Sequence, residues 1–165
     1  MCSSDLAAVP DVEIIYPVHP NPNVRAVVNK LLSGVERMRL IDPVDYVDFA
    51  QLMSQAYMIV TDSGGVQEEA PSLGKPVLVL RECTERPEAV TAGTARLTGT
   101  NRQVIVENVL QLLNEPEQYR RMAQAVNPYG DGFAARRIAA RIALEFGLDL
   151  GDSYVGMDEF WPKSS

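Results

Sequence analysis

The residues with the most chemical content are consecutive: Thr61-Asp62-Ser63-Gly64-Gly65-Val66-Gln67-Glu68-Glu69-Ala70. They follow an apolar run over 57–60, which reads as a buried strand, and they open a short helical segment. Adjacent glycines let backbone approach a ligand closely, and the N–H groups at a helix start suit a phosphate. Glu69 stands four residues beyond Gly65, one turn further along the same helix face. A carboxylate is no phosphate ligand, but it accepts hydrogen bonds from two neighbouring hydroxyls, such as those of a ribose. Phosphate donors followed by a diol acceptor describe a nucleotide, and more narrowly a nucleotide sugar. The same residues also make an ordinary strand-to-helix turn, with Asp62 or Ser63 as N-cap and the glutamates complementing the helix dipole. Spacing alone leaves both readings open. No Lys-Ser/Thr follows the glycines, so this is not a P-loop, and no third glycine follows as a dinucleotide fingerprint requires.

The elements that must position this stretch alternate between short apolar runs and helical patterns. Strands are expected over 12–17, 38–41, 57–60 and 77–80, with a weaker one over 95–97. Helices are expected over 23–32, 45–56, 103–113, 116–125 and 134–146. The first would turn Val24, Val27, Val28, Leu31 and Leu32 inward, and the second Phe49, Leu52 and Met53. Residues 127–132 are a loop rich in turn formers. Strands that are apolar throughout and separated by helices indicate an α/β fold, a doubly wound parallel sheet covered on both faces. In such Rossmann-like sheets, ligands bind outside the carboxyl ends of the strands. Ser63 to Gly65 would lie there, as would the loops after Tyr16 and Leu80.

Composition limits the partners. The 165 residues suffice for one core and carry a formal net charge of −7, which argues against a nucleic-acid partner. An anionic nucleotide sugar can still bind through local donors. Cys2, Cys83 and His19 are the only cysteines and histidine, too few for a disulfide framework or a Cys/His zinc site. No metal or other cofactor is indicated. No signal peptide or apolar run near eighteen residues occurs, so no membrane partner and a cytoplasmic location are expected. Residues 1–11 read as an irregular segment, 12–146 as the domain, and 147–165 as a mobile or partner-docking tail.

Four separated segments point to one family. They are Tyr16-Pro17-Val18-His19-Pro20-Asn21-Pro22-Asn23-Val24, then Thr61 through Val77, then Thr84-Glu85-Arg86-Pro87-Glu88-Ala89, then Asn127-Pro128-Tyr129-Gly130-Asp131-Gly132. In that order they closely resemble the C-terminal half of the non-hydrolysing UDP-N-acetylglucosamine 2-epimerases, over roughly 12–146. The resemblance implies a GT-B-type arrangement of two Rossmann-like domains, this chain being the UDP-binding one. It places Ser63, Gly64 and Gly65 on the diphosphate, Glu69 on the ribose, Phe49 beside the uracil and the Val44 backbone at the edge of the base. Arg86 would approach the phosphates as a fixed cation, since a guanidinium offers paired donors to phosphate oxygens. His19 would stand near the cleft, touching substrate or an effector nucleotide sugar. Each role has a plainer counterpart: Phe49 as helix core, Arg86 in a surface ion pair with its neighbours Glu85 or Glu88, His19 as a structural or solvated turn residue; and the 127–132 loop, which the resemblance brings back across the domain junction, is also a plain helix start with Asp131 near it.

The implied reaction eliminates UDP to a glycal and adds it back with carbon 2 inverted, which needs general acid/base carboxylates. The resemblance assigns those to an N-terminal domain, which leaves the catalytic residues unknown, and Glu68 and Glu69 are poor substitutes. The chain is therefore expected to bind UDP or UDP-N-acetylglucosamine and not to epimerise alone; a homodimer is compatible with the family. The alternatives are the donor-binding half of a GT-B-type glycosyltransferase, a non-catalytic nucleotide-sugar-binding module, and a hydrolysing epimerase.

Overall fold

The computed structural model describes residue 9 and residues 11–148. Strands β1 (Ile14–Pro17) and β2 (Met38–Ile41) pair in parallel, with Ile14 opposite Met38 and Pro17 opposite Ile41. Helix α1 (Pro22–Leu32) joins them; the Asn21 side chain accepts the Asn23 amide, and Pro22, whose missing N–H costs nothing in a first turn, opens the helix. Helix α2 (Tyr46–Gln55) follows β2 and is capped by Asp45, whose carboxylate accepts the Asp48 amide at 2.9 Å.

The remaining strands, β3 (Ile59–Thr61), β4 (Val77–Val79) and β5 (Ala95–Leu97), form a second parallel sheet in that order. Helix α3 (Gly64–Glu69) and a 3-10 turn (Ala70–Leu73) connect β3 to β4, and α4 (Pro87–Ala92) connects β4 to β5. Helices α5 (Arg102–Asn114), α6 (Pro116–Ala123) and α7 (Ala134–Phe146) complete the order.

The core is organised by the alternation of β4, whose three residues are fully buried. Val77 and Val79 face one layer, packed with Met53 and Phe49 of α2, Val66 of α3, Ala70 and Ala89. Leu78 faces the opposite layer, with Val109 and Leu112 of α5 and Met122 of α6. Helices on both faces of parallel strands are the doubly wound arrangement that the apolar runs imply.

Several details differ from the sequence reading. The strands form a two-stranded and a three-stranded sheet, not one continuous sheet. Ile15, Tyr16 and Val60 are exposed, as are Val27 and Leu31 of α1. An apolar run reports that a segment favours burial, not which element covers it. Strand β3 begins two residues later than the apolar run 57–60 because Tyr57 is used otherwise: it stacks on Tyr119 with ring centroids 4.2 Å apart, and its carbonyl accepts the Tyr119 hydroxyl. Helix α4, with Pro87 at its start and Gly93 after its end, is too short at six residues to show a helical period. The expected tail falls almost wholly on 149–165, and most of the irregular N-terminal segment on 1–8 and 10, outside the described residues. Among the described residues, no helix is long and apolar enough to cross a membrane.

Candidate functional site

The loops that follow β1, β2, β3 and β4 hold, in turn, His19, Val44, Ser63 and Arg86. All of these predicted residues therefore lie past the carboxyl ends of parallel strands, where this class of sheet leaves its crevice.

Ser63 occupies the N-cap position of α3, in extended backbone, yet its side chain makes no capping hydrogen bond. Its backbone N–H donates instead to Thr61 Oγ1 at 3.0 Å. Asp62 is exposed and is not the cap. Gly64 and Gly65 have ordinary negative φ, so helix geometry does not demand glycine at either position. A Cβ added at Gly65 would meet nothing within 4 Å, and one at Gly64 only Glu85 Oε2 at 3.9 Å. The two glycines thus face open space rather than the protein's own packing, which is the condition for backbone approach by a ligand.

Glu69 ends α3 and has a partner that spacing did not reveal. Tyr46, exposed at the start of α2, donates its hydroxyl to Glu69 Oε2 at 2.9 Å. That hydrogen bond and the carboxylate's charge push the Tyr46 phenol above its ordinary value. Phe49, one turn further along α2, packs against the core cluster while keeping part of its surface open, so its plainer role as core holds and a face remains. Val44 is half-buried in the loop that leads into α2.

Arg86 forms its ion pair with neither the Glu85 nor the Glu88 carboxylate: its Nε donates to Glu68 Oε1. Glu68 thereby pushes the guanidinium above its ordinary value, keeping it charged. Nη1 donates to the Glu85 carbonyl at 3.2 Å, and among the described residues Nη2 is left for another acceptor. Glu85 itself pairs with Arg81 at 3.2 Å.

Beneath these groups lies a residue that no motif or spacing singled out. Gln67 is wholly buried. Its Nε2 donates to the Ser63 carbonyl at 3.1 Å, and its Oε1 accepts the Thr84 hydroxyl at 2.7 Å. Thr84 Oγ1 in turn accepts the Arg86 backbone N–H at 3.0 Å. Leaving one end of a buried amide unpaired costs about 1–3 kcal/mol, so this connection resists rearrangement. A glutamine between Val66 and Glu68 looks like an exposed helix residue; only a capacity for two opposite hydrogen bonds hinted otherwise.

The fourth predicted segment also arrives here. Asn127 Nδ2 donates to Ser72 Oγ at 2.7 Å, fastening the loop to the 3-10 turn, and Tyr129 packs against the same core cluster as Phe49. Burial pushes the Tyr129 phenol up, and it lies near enough to Glu88, Arg86 and Glu68 to feel their charges. The His19 side chain is hydrogen-bonded within its own turn, its Nδ1 accepting the Asn21 N–H at 3.2 Å, as a turn residue would. Cys83 is free and exposed beside Thr84.

A family profile described as UDP-N-acetylglucosamine 2-epimerase matches residues 2–143. The chain belongs to the UDP-N-acetylglucosamine 2-epimerase family. It is 61% identical to the UDP-N-acetylglucosamine 2-epimerase of Escherichia coli K12 over 128 residues, 78% of this chain and 34% of that protein. It is 50% identical to the enzyme of that name from Bacillus subtilis 168 over 148 residues, 88% of this chain and 39% of that protein. Among solved structures, the Neisseria meningitidis UDP-GlcNAc 2-epimerase bound to UDP-GlcNAc superposes with a TM-score of 0.78 at 50% identity, covering 84% of this chain and 38% of that one. The chain thus spans between a third and two fifths of the length of these epimerases. It is a Rossmann-like α/β unit of the kind that forms one half of a GT-B-type epimerase.

Proposed function

We propose that this chain is the UDP-binding portion of a non-hydrolysing UDP-N-acetylglucosamine 2-epimerase, corresponding to the C-terminal half. In this reading the diphosphate sits on the backbone at Ser63, Gly64 and Gly65, with Arg86 offering Nη2. Glu69 accepts the ribose hydroxyls, Phe49 and the Val44 backbone receive the uracil, and His19 stands at the margin of the cleft. The observation that carries the reading is the convergence of the uncapped, sterically open Ser63–Gly65 turn with Arg86 and Glu69 beyond β3 and β4. The carboxylates that move protons at carbons 2 and 3 of the sugar come from the portion of the enzyme that this chain does not match. Association with that portion, pairing of two such enzymes and a cytoplasmic setting belong to the same proposal.

Calorimetric titration of UDP tests it. Wild type binds, and Glu69→Ala binds roughly 5- to 150-fold more weakly, the effect of losing hydrogen bonds to a charged acceptor. Equal affinity of the two proteins would remove Glu69 from the site.

A further inference from the structure

We infer that Gln67 and Thr84 are positioning residues for the nucleotide site, holding the Ser63–Gly65 turn and the Arg86 segment in one fixed relation. The inference rests on the nucleotide reading above and names what keeps that site assembled. Gln67 is wholly buried, so it acts through its neighbours and touches no ligand itself.

The hydrogen-bond directions leave one consistent arrangement. Thr84 Oγ1 accepts the Arg86 N–H, and its single proton goes to Gln67 Oε1. The Gln67 amide must then present its NH2 group to the Ser63 carbonyl. Peptide planarity carries this order outward. The Ser63 C=O and the Gly64 N–H share one rigid plane, so fixing the carbonyl aims the first N–H donor of the turn. At the other end, the Arg86 N–H shares its plane with the Glu85 carbonyl, the group that accepts Arg86 Nη1. Thr84 therefore sets the direction of the backbone that holds the guanidinium. A second tie, Glu68 to Arg86, runs in parallel, but both side chains are partly exposed and that tie is open to salt and to exchange with a phosphate. The relay is made of neutral groups and is anchored on the buried Gln67, so neither salt nor a phosphate competes for it as for an ion pair, and it keeps backbone donors and cation in place while Arg86 changes partner.

Three variants of the full chain separate this role from general stability: Thr84→Val, Thr84→Ser and Gln67→Glu. UDP affinity is read by calorimetry, and hydrogen exchange of the Arg86 amide by NMR. Thr84→Val weakens UDP binding at least about tenfold and speeds Arg86 amide exchange, whereas Thr84→Ser, which keeps the hydroxyl, stays within roughly threefold of wild type on both. In Gln67→Glu, a neutral carboxyl supplies one donor and one acceptor as the amide does, while the carboxylate supplies no donor. Its UDP affinity, taken as a ratio to wild type at each pH, recovers between about pH 8 and about pH 5 as the buried carboxyl takes its proton. That arm stands even if Thr84→Val fails to fold. Wild-type affinity in Thr84→Val, equal loss in Thr84→Ser, or a pH-independent ratio in Gln67→Glu overturns the inference while leaving the nucleotide reading intact. A wild-type chain that binds no UDP overturns both.

Discussion

Glu69 shows what single positions in this chain disclose. Its place one turn past two glycines marked it as an acceptor, but the donor that meets it, Tyr46, lies 23 residues away. No local spacing relates the two. Their contact has a measurable consequence, because ionising Tyr46 would set a phenolate against the Glu69 carboxylate and forfeit the hydrogen bond. Followed by NMR of its ring, Tyr46 titrates above the ordinary tyrosine value of about 10, and Glu69→Gln brings it back toward that value. An unchanged titration in Glu69→Gln would dissolve the pair. Arg86 is a similar case: its type and place in the third segment were legible, its partner Glu68 was not. Adjacent Glu85 and Glu88 were the neighbours in sequence, whereas the turn of α3 brought Glu68 nearer.

At the scale of elements, local chemistry was a good guide at three helix starts and not at α3, where Ser63 makes no capping hydrogen bond. Asn21, Asp45 and Asn101 each accept amides at the start of α1, α2 and α5, because short polar side chains reach orphan N–H groups of a first turn. Helix α7 starts differently. Its N-cap position, Phe133, has no side chain able to cap, and Asp131 instead accepts the Phe133 amide at 3.1 Å while holding Arg137 through both oxygens at 2.6 and 2.7 Å. The Arg137 guanidinium holds the Asp131 carboxyl well below the usual carboxylate range. A carboxyl depressed in the folded chain stabilises it above the unfolded value, near 3.9, and that contribution is lost only as pH falls through the lower folded value. The Asp131 carboxyl carbon should therefore still report an anion at about pH 3, where ordinary aspartates are mostly protonated, and Arg137→Gln should restore the ordinary midpoint. A midpoint near 3.9 in the wild type would mean that the pair does not form in solution. Element patterns failed where length failed: α4 and the 3-10 turn after α3 are too short to carry a period.

For the whole molecule, the arrangement of carboxylates argues about activity. Around the Ser63 turn, Glu68 meets Arg86, Glu85 meets Arg81 and Glu69 meets Tyr46, and the nucleotide reading uses Glu69 at the ribose and Glu68 beside Arg86, away from the sugar carbons. General acid/base work at a sugar carbon needs a carboxyl free to exchange protons with substrate. Purified chain incubated with UDP-N-acetylglucosamine should accumulate no C2 epimer by NMR of the anomeric signals, and turnover at a rate typical of enzymes would place the acid/base pair within these residues after all. The sequence by itself determined the α/β class, most element positions, and the glycine pair with its acidic follower, because those follow from periodicity, capping and backbone freedom within a few residues of chain. Tertiary structure alone decided that the strands divide into two sheets, that Tyr46 meets Glu69 and Glu68 meets Arg86, and that Gln67 joins two loops from inside the core. Those contacts link residues brought together by the crossover of parallel strands, and no short-range pattern encodes which of several polar side chains will face one another across it.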